Sequence, residues 1–253
     1  MELEIQQFIL YLENVKKTAE NTRVSYESDL HKLKRFLNRQ SVTDIASVTV
    51  TNLNSYMLYM EKEKFAPSTI SRNVAVIKAF YQYLMKYGKV ENNISEDLKG
   101  PKVERKTQAI LSEEEATKIL MQADVKTKKG MRDKAMLEIM WSTGIRVSDM
   151  ITLKLNDVNL ALGYIVCRDH ERERVMPCGD SASKALEIYI NESRREMLGE
   201  KNNDYLFVNC SGGGLSRQGV WKMIKTYAKK AGVETEITPD SFRHLYKKAH
   251  PEF

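Results

Sequence analysis

The 253-residue chain carries 40 Lys and Arg against 34 Asp and Glu, a formal net charge of +6, with 42% hydrophobic and 29% charged residues. That balance excludes intrinsic disorder and low-complexity architecture and allows a buried core in one large domain or two small ones. The longest apolar run, Leu160 to Cys167 with Gly163 inside it, is 8 residues, far short of the roughly 20 a membrane-spanning helix needs. The opening Met1-Glu2-Leu3-Glu4 lacks the basic start and apolar centre of a secretory signal, so the expectation is a cytoplasmic protein with no membrane partner. Cys167, Cys178 and Cys210 are widely spaced and have no CxxC or HxxxH companion, which points to reduced, structural thiols rather than a disulfide framework or a zinc site.

Residues 1 to 95 read as four amphipathic helices. Ile5, Phe8, Ile9 and Leu12 recur at 3.6-residue spacing, as do Tyr26, Leu30, Leu33 and Leu37, then Leu53, Tyr56, Met57 and Met60, then Ile70, Val74, Ile77, Phe80, Tyr81 and Leu84. Thr22 and Ser68 are placed as helix caps or first-turn residues. The polar stretch from Glu96 to Gln108 holds Gly100 and Pro101 and has no apolar period, so the domain boundary falls there: a helical domain over 1-98, a linker over 99-108 and a second domain over 109-253. Residues 1 to 106 hold 17 basic and 13 acidic residues, so most of the excess charge lies in the smaller part.

Beyond the linker, Leu111-Ser112-Glu113-Glu114-Glu115 is a helix start with Ser112 as cap and the glutamates at the positive end of the helix dipole. Residues 131 to 142 are apolar nearly all round, the mark of a central buried helix. Residues 163 to 168 and 173 to 177 have the β-branched content and polar turn of a hairpin, and helices are expected at 181 to 198 and 216 to 231. The fold class is therefore mainly α with a small β-sheet.

Three features carry chemistry. From Ser216 to Lys230 there are five cations, Arg217, Lys222, Lys225, Lys229 and Lys230, and no acid, with Trp221 and Tyr227 among them. This is either a phosphate-facing surface or a plain solvated helix face. Thr143-Gly144-Ile145-Arg146-Val147-Ser148-Asp149 puts Arg146 where one helix breaks at glycine and another begins, and Thr238-Pro239-Asp240-Ser241-Phe242-Arg243-His244 brings a second arginine out of a loop into a helix. Two planar guanidiniums from distant positions suit a bidentate grip on one phosphate; the competing reading is that Arg146 merely pairs with Asp149.

The order of these motifs resembles the tyrosine recombinase (phage integrase) family, in particular its short two-domain Xer-type members. The resemblance runs through Thr22, Tyr26, Leu30 and Phe36, the Pro67-Ser68-Thr69-Ile70-Ser71-Arg72 segment with Ala79-Phe80-Tyr81-Gln82-Tyr83-Leu84, and Pro101-Lys102. It continues through Thr143-Gly144-Ile145-Arg146, Glu173-Arg174-Val175-Met176-Pro177, Leu215-Ser216-Arg217-Gln218 and Thr238-Pro239 to Arg243-His244. It implies an N-terminal helical, SAM-like core-binding domain and an α+β integrase-like catalytic domain, together forming a C-shaped clamp on double-stranded DNA. In the family two arginines and a histidine hold the scissile phosphate, a hairpin lysine protonates the leaving oxygen, and a tyrosine forms a 3′-phosphotyrosyl link without a nucleotide, metal or small-molecule cofactor. Arg146 and Arg243 match the two arginines, with His244 as a support. The resemblance further implies DNA contacts from Arg72, Arg168, Arg172, Arg174, Arg217, Lys222 and Lys225, with the 67 to 84 helix in a major groove.

Three departures bear on activity. Between Lys154 and Lys184 there is no lysine, and Asp169 falls at the hairpin lysine position; an arginine there, such as Arg168 or Arg172, is a poor proton donor near neutral pH. Asp240 stands where the family has its histidine, three residues before Arg243. A carboxylate there either adds like charge beside the phosphate, worth about 4 kcal/mol at 4 Å with an effective dielectric of 20, or pairs with Arg243 at i,i+3 and occupies the clamp. The chain ends at Phe253, ten residues after Arg243, so the expectation is a catalytic domain lacking its C-terminal helices and the nucleophilic tyrosine. Tyr246, Tyr164, Tyr189, Tyr205 and Tyr227 are read as packing residues. Impaired catalysis is expected, with three functions open: a recombinase completed by an active recombinase protomer, a noncatalytic DNA-binding modulator, or a nonfunctional fragment.

Overall fold

The structure is a computed structural model that describes residues 1–102, 111–169 and 172–251, with Asp169, Arg172 and Pro239 described by their backbone alone. The chain divides into two compact units, residues 1–106 and 107–253.

The first unit is built from α1 (Glu2–Asn14), α2 (Glu20–Arg39), α3 (Val50–Lys62) and α4 (Pro67–Lys86). The predicted stripes face one another: Ile5, Phe8 and Leu12 of α1, Leu30, Leu33 and Leu37 of α2, Leu53, Tyr56 and Met60 of α3, and Ile70, Val74, Ile77, Phe80 and Leu84 of α4 share one core. Each such side chain taken from water contributes about 1.5–3 kcal/mol. Helix α4 also buries Asn73, Val76, Tyr81 and Tyr83, so it runs through the middle of the unit and leaves only a narrow exposed stripe that includes Ser68, Arg72 and Ala75. Thr22 and Ser68 are first-turn residues; Ala19 and Ala66 occupy the cap positions, and Pro67 starts α4 with a φ already suited to a helix. Helix α3 has a full capping box between Thr49 and Asn52.

The linker expected from Glu96 onward begins later. Leu98 is buried in the first core, the Glu96 carbonyl accepts from Lys78 Nζ at 2.8 Å, and the Pro101 carbonyl accepts from Ser71 Oγ at 3.1 Å. Gly100 lies against Ser71 of α4, where an added Cβ would come within 3.3 Å of the Ser71 backbone. A polar, aperiodic stretch can thus still dock through its backbone, which composition does not show. The part of the expected linker at 103–110 lies outside the described residues.

In the second unit α5 (Glu113–Met121) opens with the Ser112–Glu115 capping box, and α6 (Lys128–Thr143) is buried on nearly every side. Helix α6 packs against α5, α8 (Gly179–Ile188) and α11 (Pro239–Ala249). The short α7 (Val147–Thr152) follows, then an antiparallel sheet in the order β1 (Val158–Asn159), β2 (Tyr164–Asp169), β3 (Arg172–Pro177). The predicted hairpin is β2–β3, with Cys167 opposite Arg174 and Asp169 opposite Arg172; its turn at 170–171 lies outside the described residues. Strand β1 is too short to show an alternation, so periodicity does not find it. The single helix expected at 181 to 198 is three consecutive pieces: α8, a π-helical segment Tyr189–Arg194, and α9 (Arg195–Leu198). The buried guanidinium of Arg194 there donates to the carbonyls of Asn203, Tyr205 and Leu206. Helix α10 (Arg217–Lys230) is capped by Ser216.

Cys167 and Cys178 are buried, and burial pushes both thiols up to about 11. Cys210 is exposed, which corrects the reading of all three as structural. No helix among the described residues is long and apolar enough to cross a membrane.

Candidate functional site

The residues that matter lie where α6 ends. Gly144 closes α6 in the left-handed conformation, φ +57°, and its N–H bonds back to the Met140 carbonyl at 3.1 Å. Arg146 then serves as the N-cap residue of α7, with extended backbone. The same glycine receives α11: Arg243 Nη1 donates to the Gly144 carbonyl at 2.8 Å, and a Cβ on Gly144 would stand 2.6 Å from Tyr246 Cδ1. Glycine is therefore required twice here, for the positive φ and for the close approach of an aromatic ring. The second face of that ring is accounted for by His250, which stacks on it with centroids 4.3 Å apart. Tyr246 is thus a packing residue, as expected, and it fixes α11 against the Arg146 loop.

The hairpin contributes the third arginine. Exposure alternates along β3 from Glu173 to Pro177, with Arg174 and Met176 on the inward side. Arg174 Nη2 reaches Asp149 Oδ2 at 2.6 Å, while Arg146 Nη1 is 4.0 Å from the same oxygen with its side chain half exposed. Asp149 therefore bonds more closely to the hairpin, and its pairing with Arg146, the competing reading, is present as the longer of the two. Burial, and next the positive fields of Arg146 and Arg174, hold the Arg243 guanidinium below the usual arginine range, with Asp149 and Asp240 pulling the other way. Arg174 and Arg146 thus share Asp149, and Arg243, bonded to the Gly144 carbonyl, lies within the field of both. At 4 Å and an effective dielectric of 20 a unit charge pair is worth about 4 kcal/mol, so the uncompensated charge is a considerable attraction for an anion.

Other expected site residues fall differently. Asp240 is exposed and forms no ion pair with Arg243 among the described residues, so of its two readings the i,i+3 pairing is not made; Arg243 turns instead toward the Gly144 carbonyl. His244 is exposed and makes no hydrogen bond or ion pair among the described residues, because one residue along a helix turns the side chain by about 100° from that of Arg243. Arg168 pairs with Asp157 and with Glu173, the latter at 2.9 Å, which ties it into the sheet. Arg72 is held by both oxygens of buried Asp29, at 2.7 and 3.1 Å. The side chains of Asp169 and Arg172 lie outside the described residues.

Helix α10 presents Arg217, Lys222, Lys225, Lys229 and Lys230 to solvent, and none forms an ion pair among the described residues. Lys225 sits 4.1 Å over the Trp221 ring. Tyr227 points the other way: its hydroxyl donates to fully buried Asp133 at 2.9 Å, and Asp133 also receives Arg132 and Lys129. This buried network holds α10 to α6. Burial, then Asp133, raises the Tyr227 phenol well above its ordinary value. The remaining tyrosines have structural duties too: Tyr189 OH accepts from the Val208 N–H, Tyr164 OH from Asn159, and Tyr205 packs beside Gly214. Sequence reading missed Asp133 and the Asp149–Arg174 bond; a charged residue at an inward strand position was the available signal for the second. No group of three His, Cys, Asp or Glu among the described residues could hold a metal.

Comparisons with known proteins fit this geometry. Residues 109–248 match the phage integrase family, and residues 5–88 match the phage integrase N-terminal SAM-like domain. The chain is similar to a putative tyrosine recombinase of Caldanaerobacter subterraneus, 38% identical over 242 residues, and to the tyrosine recombinase XerD of Listeria innocua, 34% identical over 245 residues; in both cases the match covers 96% of this chain and 82% of the relative. Among solved structures it shares its fold with a Tn1549 transposon integrase in complex with circular intermediate DNA and with a lambda integrase dimer bound to a core site. Both have a TM-score of 0.73 at 16% identity, each match covers 98% of this chain, and they cover 87% and 88% of those chains. With both of its units matched in order and relatives above 30% identity along nearly its whole length, the chain belongs to the phage integrase family of tyrosine recombinases.

Proposed function

We propose that this chain binds duplex DNA as a tyrosine-type site-specific recombinase does, and that Arg146 and Arg243 seat one phosphodiester. The observation that carries this reading is the cluster at the end of α6, where Arg146 and Arg174 meet at Asp149 and Arg243 comes in from α11 to the Gly144 carbonyl. The unpaired cations of α10 extend the positive surface, and the contacts expected from Arg217, Lys222 and Lys225 belong there. In the first unit the exposed stripe of α4 is the groove-facing candidate, with Arg72 braced by Asp29 rather than free. The relatives named as recombinases and the DNA-bound integrases that share the fold support the same reading.

Strand cleavage by this chain is impaired in the proposal. Its hairpin has Asp169 where the family places the lysine proton donor, and Asp240 where the family places histidine. A carboxylate ionised at neutral pH neither donates a proton nor attracts a phosphate. An active recombinase protomer is the partner that would supply cleavage in trans; without one, the chain occupies sites and modulates access to them.

A nicked suicide duplex tests the two halves separately. The expected result is a salt-dependent gel shift that favours inverted-repeat sites over random duplex, with no covalent adduct from this chain alone. An adduct formed without a partner overturns the impairment, and equal affinity for inverted-repeat and random duplex overturns the site-specific reading.

A further inference from the structure

We infer that Arg174 is a third phosphate-binding residue of the cluster and that Asp149 is the positioning residue that holds it there. The inference rests on the reading of Arg146 and Arg243 as a phosphate site and adds the hairpin to it. Arg174 stands opposite Cys167 in the β2–β3 register, and Cys167 is buried. Directly paired residues share a face of the sheet, so Arg174 comes from the face that packs on the unit rather than from the solvent face.

A guanidinium has five donors. Arg174 uses Nη2 on Asp149, and its Nε and Nη1 make no hydrogen bond to any described residue. Its side chain remains about one-third exposed, compared with 24% for Asp149. Among the described residues donors are therefore left over, on a cation oriented by the charge-assisted bond to Asp149. Arg243 feels Arg174 as a positive neighbour, second only to Arg146 among charged groups, which places Arg174 within electrostatic reach of the same anion. This hairpin carries no lysine between Lys154 and Lys184, and of its arginines with described side chains Arg168 is paired with Asp157 and Glu173, which leaves Arg174 to bring positive charge to the site. The role is electrostatic and positional; no proton transfer is assigned to it.

Fluorescence anisotropy with a labelled random-sequence duplex, read as log Kd against log salt, separates the possibilities for the full chain. For Arg174→Gln the expected result is an approximately tenfold loss of affinity and a salt slope smaller by about one phosphate, matching Arg146→Ala. Arg174→Lys keeps the charge and serves if the glutamine variant fails a thermal-melt check for folding; the expected result is an unchanged slope with about fivefold weaker binding, since one ammonium cannot reproduce a fork that serves two anions. A folded Arg174→Gln protein with unchanged affinity and slope, beside a clear loss in Arg146→Ala, overturns this inference and leaves the Arg146 and Arg243 site standing. Full wild-type affinity in Arg174→Lys overturns it as well. If neither Arg146→Ala nor Arg174→Gln moves the slope, the phosphate site itself is wrong and this inference falls with it.

Discussion

Two arginine sites in this molecule look alike in sequence and behave oppositely in structure. In the first unit Arg72 meets Asp29, which is 1% exposed, through two hydrogen bonds, and Lys32 adds a third bond to the same carboxylate. Its hydrogen bond to Asp29 raises the Arg72 pKa above the ordinary arginine value. In the second unit Arg146 and Arg174 share Asp149, and burial together with those neighbouring cations moves Arg243 the other way. A guanidinium whose pKa rises has found its counter-ion within the fold. Arg243, lowered first by burial and then by neighbouring cations, bonds to a backbone carbonyl instead. The contrast sets a brace apart from the arginines proposed to seat a phosphate.

Several changes would break or sharpen that contrast. The largest effect is expected at the anchor beneath the basic helix: Asp133→Ala leaves Arg132, Lys129 and Tyr227 without their shared buried acceptor and should cost about 3–5 kcal/mol, read as a lower urea midpoint with α10 losing hydrogen-exchange protection. Next, Gly144→Ala combines a left-handed backbone with a methyl driven into Tyr246 and should cost about 2–4 kcal/mol while weakening DNA binding; a variant as stable as the parent would show that α11 is not seated on the Arg146 loop as described.

The direct comparison is smaller and more telling. Arg72→Gln should destabilise by about 1–3 kcal/mol, because Asp29 stays buried with only Lys32 left to it. Arg146→Ala should stay within about 0.5 kcal/mol of the parent yet bind duplex about tenfold more weakly, with the salt slope reduced by about one. If Arg146→Ala costs stability and Arg72→Gln does not, the assignment of brace and site is inverted. The smallest effect concerns the thiols. A maleimide at neutral pH should label Cys210 in the folded protein and leave Cys167 and Cys178 until denaturant is added. Since burial raises both buried thiols to about 11, they stay protonated in the folded chain where the unfolded chain would ionise. Their contribution is present below pH 9 and should be lost as the pH climbs from 9 towards 11, visible as a falling thermal midpoint over that window.

Much of the architecture was legible because its signal is local. The stripe from Ile70 to Leu84 marks α4, the crowded 131 to 142 segment marks the central helix, and Ser112 with Glu115 marks the start of α5. Arg146 and Arg243 could be named from motifs because a glycine and a proline punctuate the chain beside them. What stayed hidden depends on distant partners. Arg72 and Asp29 are 43 residues apart, and Asp133 and Tyr227 are 94 apart. Asp149 was noticed as a neighbour of Arg146 at i,i+3, but its tighter bond goes to Arg174 across 25 residues. Periodicity reports which face of an element is buried and says nothing about which charges meet on it.

By itself the sequence determined the family pattern, the helical first unit, and the helix and hairpin content of the second. Those properties follow from side-chain volume, polarity and backbone preference read over a few turns of chain. Only the tertiary structure decided which cations are neutralised and which remain available. Ion pairing is fixed by separations of a few ångströms between groups far apart along the chain, and it is the fold around Gly144 that brings Arg146 and Arg174 to Asp149 and Arg243 to the Gly144 carbonyl.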